Sequence, residues 1–318
     1  MNTGRARGAI DWVVLAAMTA SWGSAFAALR IAVAEIDPAW NTALRLAIAT
    51  AVLGAALAIR GERLPALFPR PAEAWGWYAL SGIAGMALPF LLFAYASTEL
   101  PSAVTAICNG ATPIFVAALA HFAVGERLTA RRAAGVAMGF AGLVLLVGGG
   151  SLREVGDAHL AALGAALGGA ALYAISGVAV RRAPPVKALA GALLVCMTGT
   201  AAAVPLALAI GGEPPVEVSA GAWAAVVFLG LAPTAAAMIG WVWLTHRRGA
   251  LFASMGTYVA PLFATAIGVM FMNERPHAEG FLALALVVGG MLVANSSGRR
   301  RAGGDGPETP VAEPIKES

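Results

Sequence analysis

The sequence is short of charge. Of its 318 residues, 38 are charged (21 Lys+Arg and 17 Asp+Glu), or 12%, about half the share of a soluble domain. That scarcity excludes a water-soluble globule of this length. Cysteine is scarcer still. Cys108 and Cys196 each fall inside an apolar run, and two are too few for a disulfide framework or a four-ligand zinc site; both read as small buried residues. The four histidines form no His/Asp/Glu or Ser/His constellation with usable geometry, so neither an enzyme, nor a metal centre, nor a cofactor is expected. The 38 glycines follow no three-residue period, which excludes collagen, and the apolar content excludes disorder.

Apolar residues are what the chain has instead, at 59% with a mean hydropathy of +0.77. They come in long continuous runs, not in the short alternating stretches of a membrane β-barrel. The fold class is therefore all-α integral membrane. A spanning helix needs about 20 apolar residues, and ten such spans are expected. In the first half they are Trp12–Val33, Pro38–Ile59, Trp75–Ser97, Leu100–Ala123 and Arg131–Gly148. In the second half they are His159–Arg181, Ala188–Gly211, Ala222–Thr245, Ala250–Met272 and His277–Asn295. The tail 296–318, rich in Gly, Pro, Arg and Glu, is expected to be disordered and cytoplasmic. Arg5 and Arg7 precede the first run and Ala25-Phe26-Ala27 mimics a signal-peptidase site. The run continues to Val33 and has a repeat partner, so a retained helix is expected.

The few charges orient the chain. With the N-terminus inside, 17 of the 21 basic residues fall on the inner side, in the loops and tail at Arg5 and Arg7, Arg60 to Arg70, Arg127 to Arg132, Arg181 to Lys187, Arg247 and Arg248, and Arg299 to Lys316. Arg30, Arg153 and Arg275 lie outside and Arg45 within a span. This is the positive-inside rule. Both termini are expected in the cytoplasm, the bilayer is the expected partner, and the net charge of +4 gives no reason to expect nucleic acid.

The two halves are alike. Adding 148 takes Gly82 to Gly230, Pro113 to Pro261, Phe115 to Phe263, Glu126-Arg127 to Glu274-Arg275, and Gly142 to Gly290. Nearer the start of each half, adding 151 takes Trp22 to Tyr173 and Arg30 to Arg181. A shared register over several elements indicates duplication. Five helices per half is odd, so the second half is inverted, an arrangement common in secondary transporters. The expected repeats are residues 10–148 and 157–295.

Several short motifs carry a resemblance. Ser21-Trp22-Gly23-Ser24-Ala25-Phe26 resembles the first-helix opening of the EamA family in the drug/metabolite transporter superfamily, and Pro38 followed by Arg45 resembles its second helix. Thr112-Pro113 with Gly125-Glu126-Arg127, and Ala260-Pro261 with Asn273-Glu274-Arg275, resemble the ends of its fourth and ninth helices. The chain departs from the pattern where Tyr173 replaces the tryptophan and Cys196 stands where Arg45 would repeat. The resemblance covers residues 10–295. It implies a metabolite carrier of the inner membrane, commonly an exporter.

An ionisable group inside a membrane is expensive, so its presence asks for a function. Arg45 is the clear instance, about 10 Å along its helix from Pro38 at 1.5 Å per residue. Two roles fit it: attracting a substrate carboxylate, or pairing with Asp37, Glu35 or helix-end carbonyls. His121 is the histidine most clearly inside a span, and it fits either a proton relay or an interfacial position. Glu126 and Glu274 read as helix-end pairing. Each of Pro113 and Pro261 removes a backbone donor, and both are expected as structural hinges. Asn109 and Thr257, each four residues before one of them, fit either a cavity or the freed backbone, and Thr112 and Tyr258 are further polar groups of the same two spans. Trp22 and Tyr173 are expected to line a cavity, with Ser24 near them, while Trp241 and Trp243 read as interfacial belt residues. Gly135-xxx-Gly139 and Gly164-xxx-Gly168 fit close helix packing. Substrate contacts are thus expected from Trp22, Ser24, Arg45, Asn109, Tyr173, Thr257 and Tyr258.

The expected function is a secondary carrier for a small amphipathic metabolite such as an amino acid, working by alternating access around a cavity lined mainly by helices one, three, four, six, eight and nine. Carriage of drugs or other solutes, a non-transporting scaffold and a homo-oligomer stay open.

Overall fold

A backbone in hydrocarbon has no water to bond to, so it satisfies its own N–H and C=O groups by forming helices. The computed structural model describes residues 3–64, 71–100, 105, 108–124, 128–147, 159–260, 263 and 278–295, and among these there is helix and no strand. We label α1 (Thr3–Val33), α2 (Pro38–Ile59), α4 (Thr112–Val124), α5 (Ala130–Val147), α6 (Leu160–Arg182), α7 (Ala188–Ile210), α9 (Ala250–Ala260) and α10 (Ala278–Asn295). Two elements are composite. In α3, Pro71–Gly82 passes through a π-helical turn at Ile83–Ala87 into Leu88–Glu99. In α8, Ala220–Gly230 passes through a π-helical turn at Leu231–Ala236 into Ala237–Arg248.

Among the described residues, five segments are long and apolar enough to cross a bilayer: Pro38–Ile59, Trp75–Glu99, Leu160–Arg182, Ala188–Ile210 and Ala220–Arg248. Cys108–Ala123, Ala250–Ala260 and Ala285–Ala294 are shorter apolar helices. The tail 296–318, Pro261, Glu126 and Glu274 lie outside the described residues.

Each half of the described chain carries one matching irregularity. The two π-helical turns begin at Ile83 and Leu231, 148 residues apart. Each follows a glycine on which the opposite half rests. A Cβ on Gly82 would stand 2.5 Å from the Val195 carbonyl of α7, and one on Gly230 would stand 3.1 Å from the Arg45 carbonyl of α2. α2 and α7 run antiparallel. Trp40 at the start of α2 bonds the carbonyl of Gly212 beyond the end of α7 (3.3 Å), and Glu62 beyond the end of α2 pairs with Lys187 at the start of α7 (3.9 Å). Likewise Tyr78, early in α3, contacts His246, late in α8 (3.1 Å).

In lipid, helices associate through close van der Waals fit between small residues. Ala39, Ala43 and Ala49 of α2 and Ala192, Ala203 and Ala207 of α7 are buried in one such cluster. The α5–α10 crossing is tighter: a Cβ on Gly135 would lie 2.5 Å from the backbone nitrogen of Ala294, and one on Gly290 would lie 2.6 Å from that of Gly139. The expected close packing at Gly135-xxx-Gly139 is therefore present. At Gly164-xxx-Gly168 it is not. Gly164 faces open space, and the close contact belongs to Gly169, where a Cβ would stand 2.8 Å from the Phe93 ring.

Capping fixes the helix ends. Asp37 accepts the Ala39 N–H at 2.7 Å with Pro38 in the first turn, and Ser219 accepts the Ala222 N–H at 3.2 Å. Glu35 accepts from both the backbone N–H (2.8 Å) and the hydroxyl (2.6 Å) of Ser219, tying the α1–α2 turn to the start of α8. Those bonds, the hydroxyl's first, hold its carboxyl below the usual 4.5. At the other end, buried Asp11 accepts from Arg247 (2.6 Å) and Arg248 (2.8 Å), joining the start of α1 to the end of α8. Arg181 donates to the His246 carbonyl and Arg182 to the Ala123 carbonyl nearby. The basic residues Arg181, Arg182, Lys187, Arg247 and Arg248 are thus gathered at one end of the bundle.

Candidate functional site

Between the halves lies a cavity of about 150 Å3. From the first half it takes Trp22, Ala25 and Leu29 of α1, Asn41 and Arg45 of α2, Gly85, Met86, Phe90 and Phe93 of α3, and Asn109 and Thr112 at α4. From the second half it takes Tyr173 and Ser176 of α6, Pro233, Met238 and Trp241 of α8, and Ala250, Ser254, Thr257 and Ala260 of α9. All six expected helices contribute, and α2 joins them.

Irregular backbone is concentrated here. Besides the two π-helical turns, helix is interrupted at Ala111 before α4 and at Met255 within α9. Within a membrane, such irregularity is tolerated where it lines a cavity or is covered by protein. Side chains repair it. Pro233 has no N–H to give to the Leu229 carbonyl four residues back, and the Thr234 hydroxyl donates to that carbonyl at 2.7 Å. Pro113 leaves the Asn109 carbonyl in the same position, and the Thr112 hydroxyl donates to it at 2.7 Å. The indole N–H of Trp22 reaches across from α1 to the Pro233 carbonyl at 3.1 Å. Proline, hydroxyl and indole together hold the cavity wall open without unpaired carbonyls at these points.

Arg45 is the charge in this wall. Its residue is 8% exposed. Its Nε donates to the Thr234 hydroxyl at 2.6 Å, and its guanidinium carbon sits 3.9 Å from the centroid of the Phe90 ring, within cation–π range. Neither acid that the sequence offered pairs with it. Asp37 caps α2 and Glu35 holds Ser219. Among the described residues Arg45 has no carboxylate partner, and no acidic side chain lines the cavity.

The other expected residues divide. Trp22, Asn109, Tyr173 and Thr257 line the same cavity as Arg45. The Thr257 hydroxyl donates to the Ser254 carbonyl at 2.9 Å, and Tyr173 stacks on Phe93 with ring centroids 5.6 Å apart. Ser24 and Tyr258 are not in the cavity wall. The Ser24 hydroxyl bonds the Ser21 carbonyl at 2.8 Å, and Tyr258 is turned away to the Val136 carbonyl of α5 at 3.0 Å. Pro113 lies in the first turn of α4, directly after the interruption at Ala111. His121 is exposed and accepts the Leu128 N–H at 3.4 Å, away from the cavity. Trp241, read as a belt residue, lines the cavity, whereas Trp243 lies 4.9 Å from the Arg247 guanidinium.

Sequence reasoning missed Asn41, Phe90, Phe93 and Thr234. Asn41 carried a signal: it is an amide within an apolar span, one turn before Arg45. Thr234 carried another, as a hydroxyl directly after a proline in a span. Nothing in the sequence marked Phe90 or Phe93 among so many apolar neighbours.

The model of the EamA-like transporter family matches residues 9–148 and 158–296, the two repeats in turn. The aromatic amino acid exporter YddG of Ancylobacter novellus is 30% identical over 297 residues, covering 91% of this chain and 94% of that protein. The probable terminal-alkyne amino-acid exporter of Streptantibioticus cattleyicolor is 27% identical over 285 residues, covering 88% and 92%. A solved crystal structure is similar with a TM-score of 0.73 and 25% identity, covering 90% of this chain and 96% of that one.

Proposed function

Because the chain belongs to the EamA-like transporter family, we propose that it exports an amino acid or a closely related metabolite across the inner membrane. The observation that carries this reading is Arg45: a buried guanidinium in the wall of a largely apolar cavity, with no carboxylate partner among the described residues. A buried cation is costly unless something pairs with it. A substrate carboxylate is that partner, and the aromatic wall of Trp22, Phe90, Phe93, Tyr173 and Trp241 accepts the substrate's apolar side chain. A cation carrier fits less well, since no acidic side chain lines the cavity among the described residues. The names of the two exporters similar to this chain agree with an amino-acid substrate.

In this reading ten helices form two inverted repeats, residues 10–148 and 157–295. They rock about the cavity in alternating access, with both termini in the cytoplasm and the basic end of the bundle facing inward. Trp22, Arg45, Asn109, Tyr173 and Thr257 contact substrate, and Pro113 and Pro261 serve as hinge positions. Ser24 and Tyr258 support the bundle. The test is a growth assay. Cells expressing the chain, challenged with toxic amino-acid analogues, should survive higher concentrations than cells expressing Arg45→Ala at equal membrane abundance. Equal sensitivity across aromatic, aliphatic and polar analogues would overturn the proposal.

A further inference from the structure

Several of the cavity's polar groups are committed to the protein itself. The hydroxyls of Thr112, Ser254 and Thr257 donate to carbonyls three residues back along the chain, and that of Ser176 to the Ser81 carbonyl. The Pro233 carbonyl is taken by Trp22. Two buried amide oxygens are not committed. The side-chain oxygens of Asn41 and Asn109 are buried without a hydrogen-bond partner, and both residues line the cavity. Asn41 is 2% exposed. A buried acceptor left unpaired costs free energy, so its retention asks for a partner.

Their placement says which partner fits. Asn41 and Arg45 are four residues apart on α2 and therefore share a face, one turn apart, about 6 Å along the axis. An α-amino acid carries its carboxylate and its ammonium on one carbon, so a molecule held at Arg45 by the carboxylate has its ammonium within reach of the next turn. Asn109 brings a second amide oxygen to the same cavity from just before α4. An ammonium is a three-donor group that needs acceptors. No carboxylate lines this cavity among the described residues. Amide oxygens accept the ammonium without adding a negative charge that would neutralise Arg45.

We infer that Asn41 and Asn109 form an ammonium subsite, so that the carrier selects zwitterionic amino acids over carboxylates that lack the amine. This rests on the transport reading above and adds the basis of its selectivity. The measurement is binding to purified protein in detergent by titration calorimetry, with L-phenylalanine and 3-phenylpropanoate as the probes. The two share the carboxylate and the ring and differ in the amine. Wild-type protein should bind L-phenylalanine about tenfold or more tightly than 3-phenylpropanoate, the value of a hydrogen bond to a charged group. Asn41→Leu and Asn109→Leu should each shrink that ratio by weakening L-phenylalanine while leaving 3-phenylpropanoate unchanged. Where Asn41→Leu does not fold, Asn41→Ser and Asn109→Leu carry the test. Equal wild-type affinity for the two probes, or equal weakening of both in the variants, overturns the subsite and leaves the transport reading standing. Binding of neither probe, nor of any other amino acid, by folded wild-type protein overturns both.

Discussion

Arg45 shows why a single residue resisted assignment from sequence. The position of its charge was readable, because one arginine in an apolar span is conspicuous. Its partner was not. The sequence offered Glu35 and Asp37 nearby, but each is drawn to a local duty that is settled only once the chain is folded: Glu35 to Ser219, 184 residues away, and Asp37 to the α2 N-cap. Arg45 itself bonds Thr234, 189 residues away. Such long-range pairings leave no trace in spacing. Glu35 yields a prediction at this scale. Its hydrogen bonds lower its carboxyl pKa in the folded protein, so their stabilising contribution is complete above the ordinary carboxylate range and is lost as pH falls through the lowered value. The melting-temperature difference between wild type and Glu35→Gln, measured in detergent, should therefore be positive at pH 7 and vanish in strong acid. A difference independent of pH would contradict this.

Elements were easier to read than residues. The helical runs follow from apolar length and composition and the 148-residue offset from matched residues, and the π-helical turns after Gly82 and Gly230 are separated by that same offset. The turns themselves were invisible, because a π-helical turn differs from an α-helical one by one residue per turn and has no compositional mark. Helix-facing direction was half legible. The small-xxx-small pattern picked out a true crossing at Gly135 and a false one at Gly164, since the pattern records small residues and not which side of the helix meets a neighbour. The two sites make a paired test. Gly135→Ala forces a Cβ against the backbone of α10 at Ala294 and Gly290. It should destabilise the bundle by about 1–3 kcal/mol, the usual range for overpacking, read as a lower melting temperature. Gly164→Ala meets nothing within 4 Å and should leave the melting temperature unchanged or slightly raised. Equal effects at both positions would refute the crossing.

At the scale of the whole molecule, both family-matched segments line one cavity, which the repeat read in the sequence would make symmetric. The cavity breaks that symmetry. Arg45 has Cys196 as its counterpart and Trp22 has Tyr173, so one half brings the charge and the indole while the other brings Thr234 and the Pro233 carbonyl that hold them. A duplicated frame with an asymmetric site suits an asymmetric solute, one with a charged end and an apolar end. The most direct test is counterflow in liposomes containing the purified chain, preloaded with unlabelled L-phenylalanine and supplied outside with a trace of the labelled compound, with other amino acids tried in turn. Wild-type protein should accumulate label transiently for at least one amino acid, and Arg45→Ala, inserted and folded to the same extent, should not. Absence of counterflow with every amino acid by folded wild-type protein, or full activity in Arg45→Ala, would contradict the account.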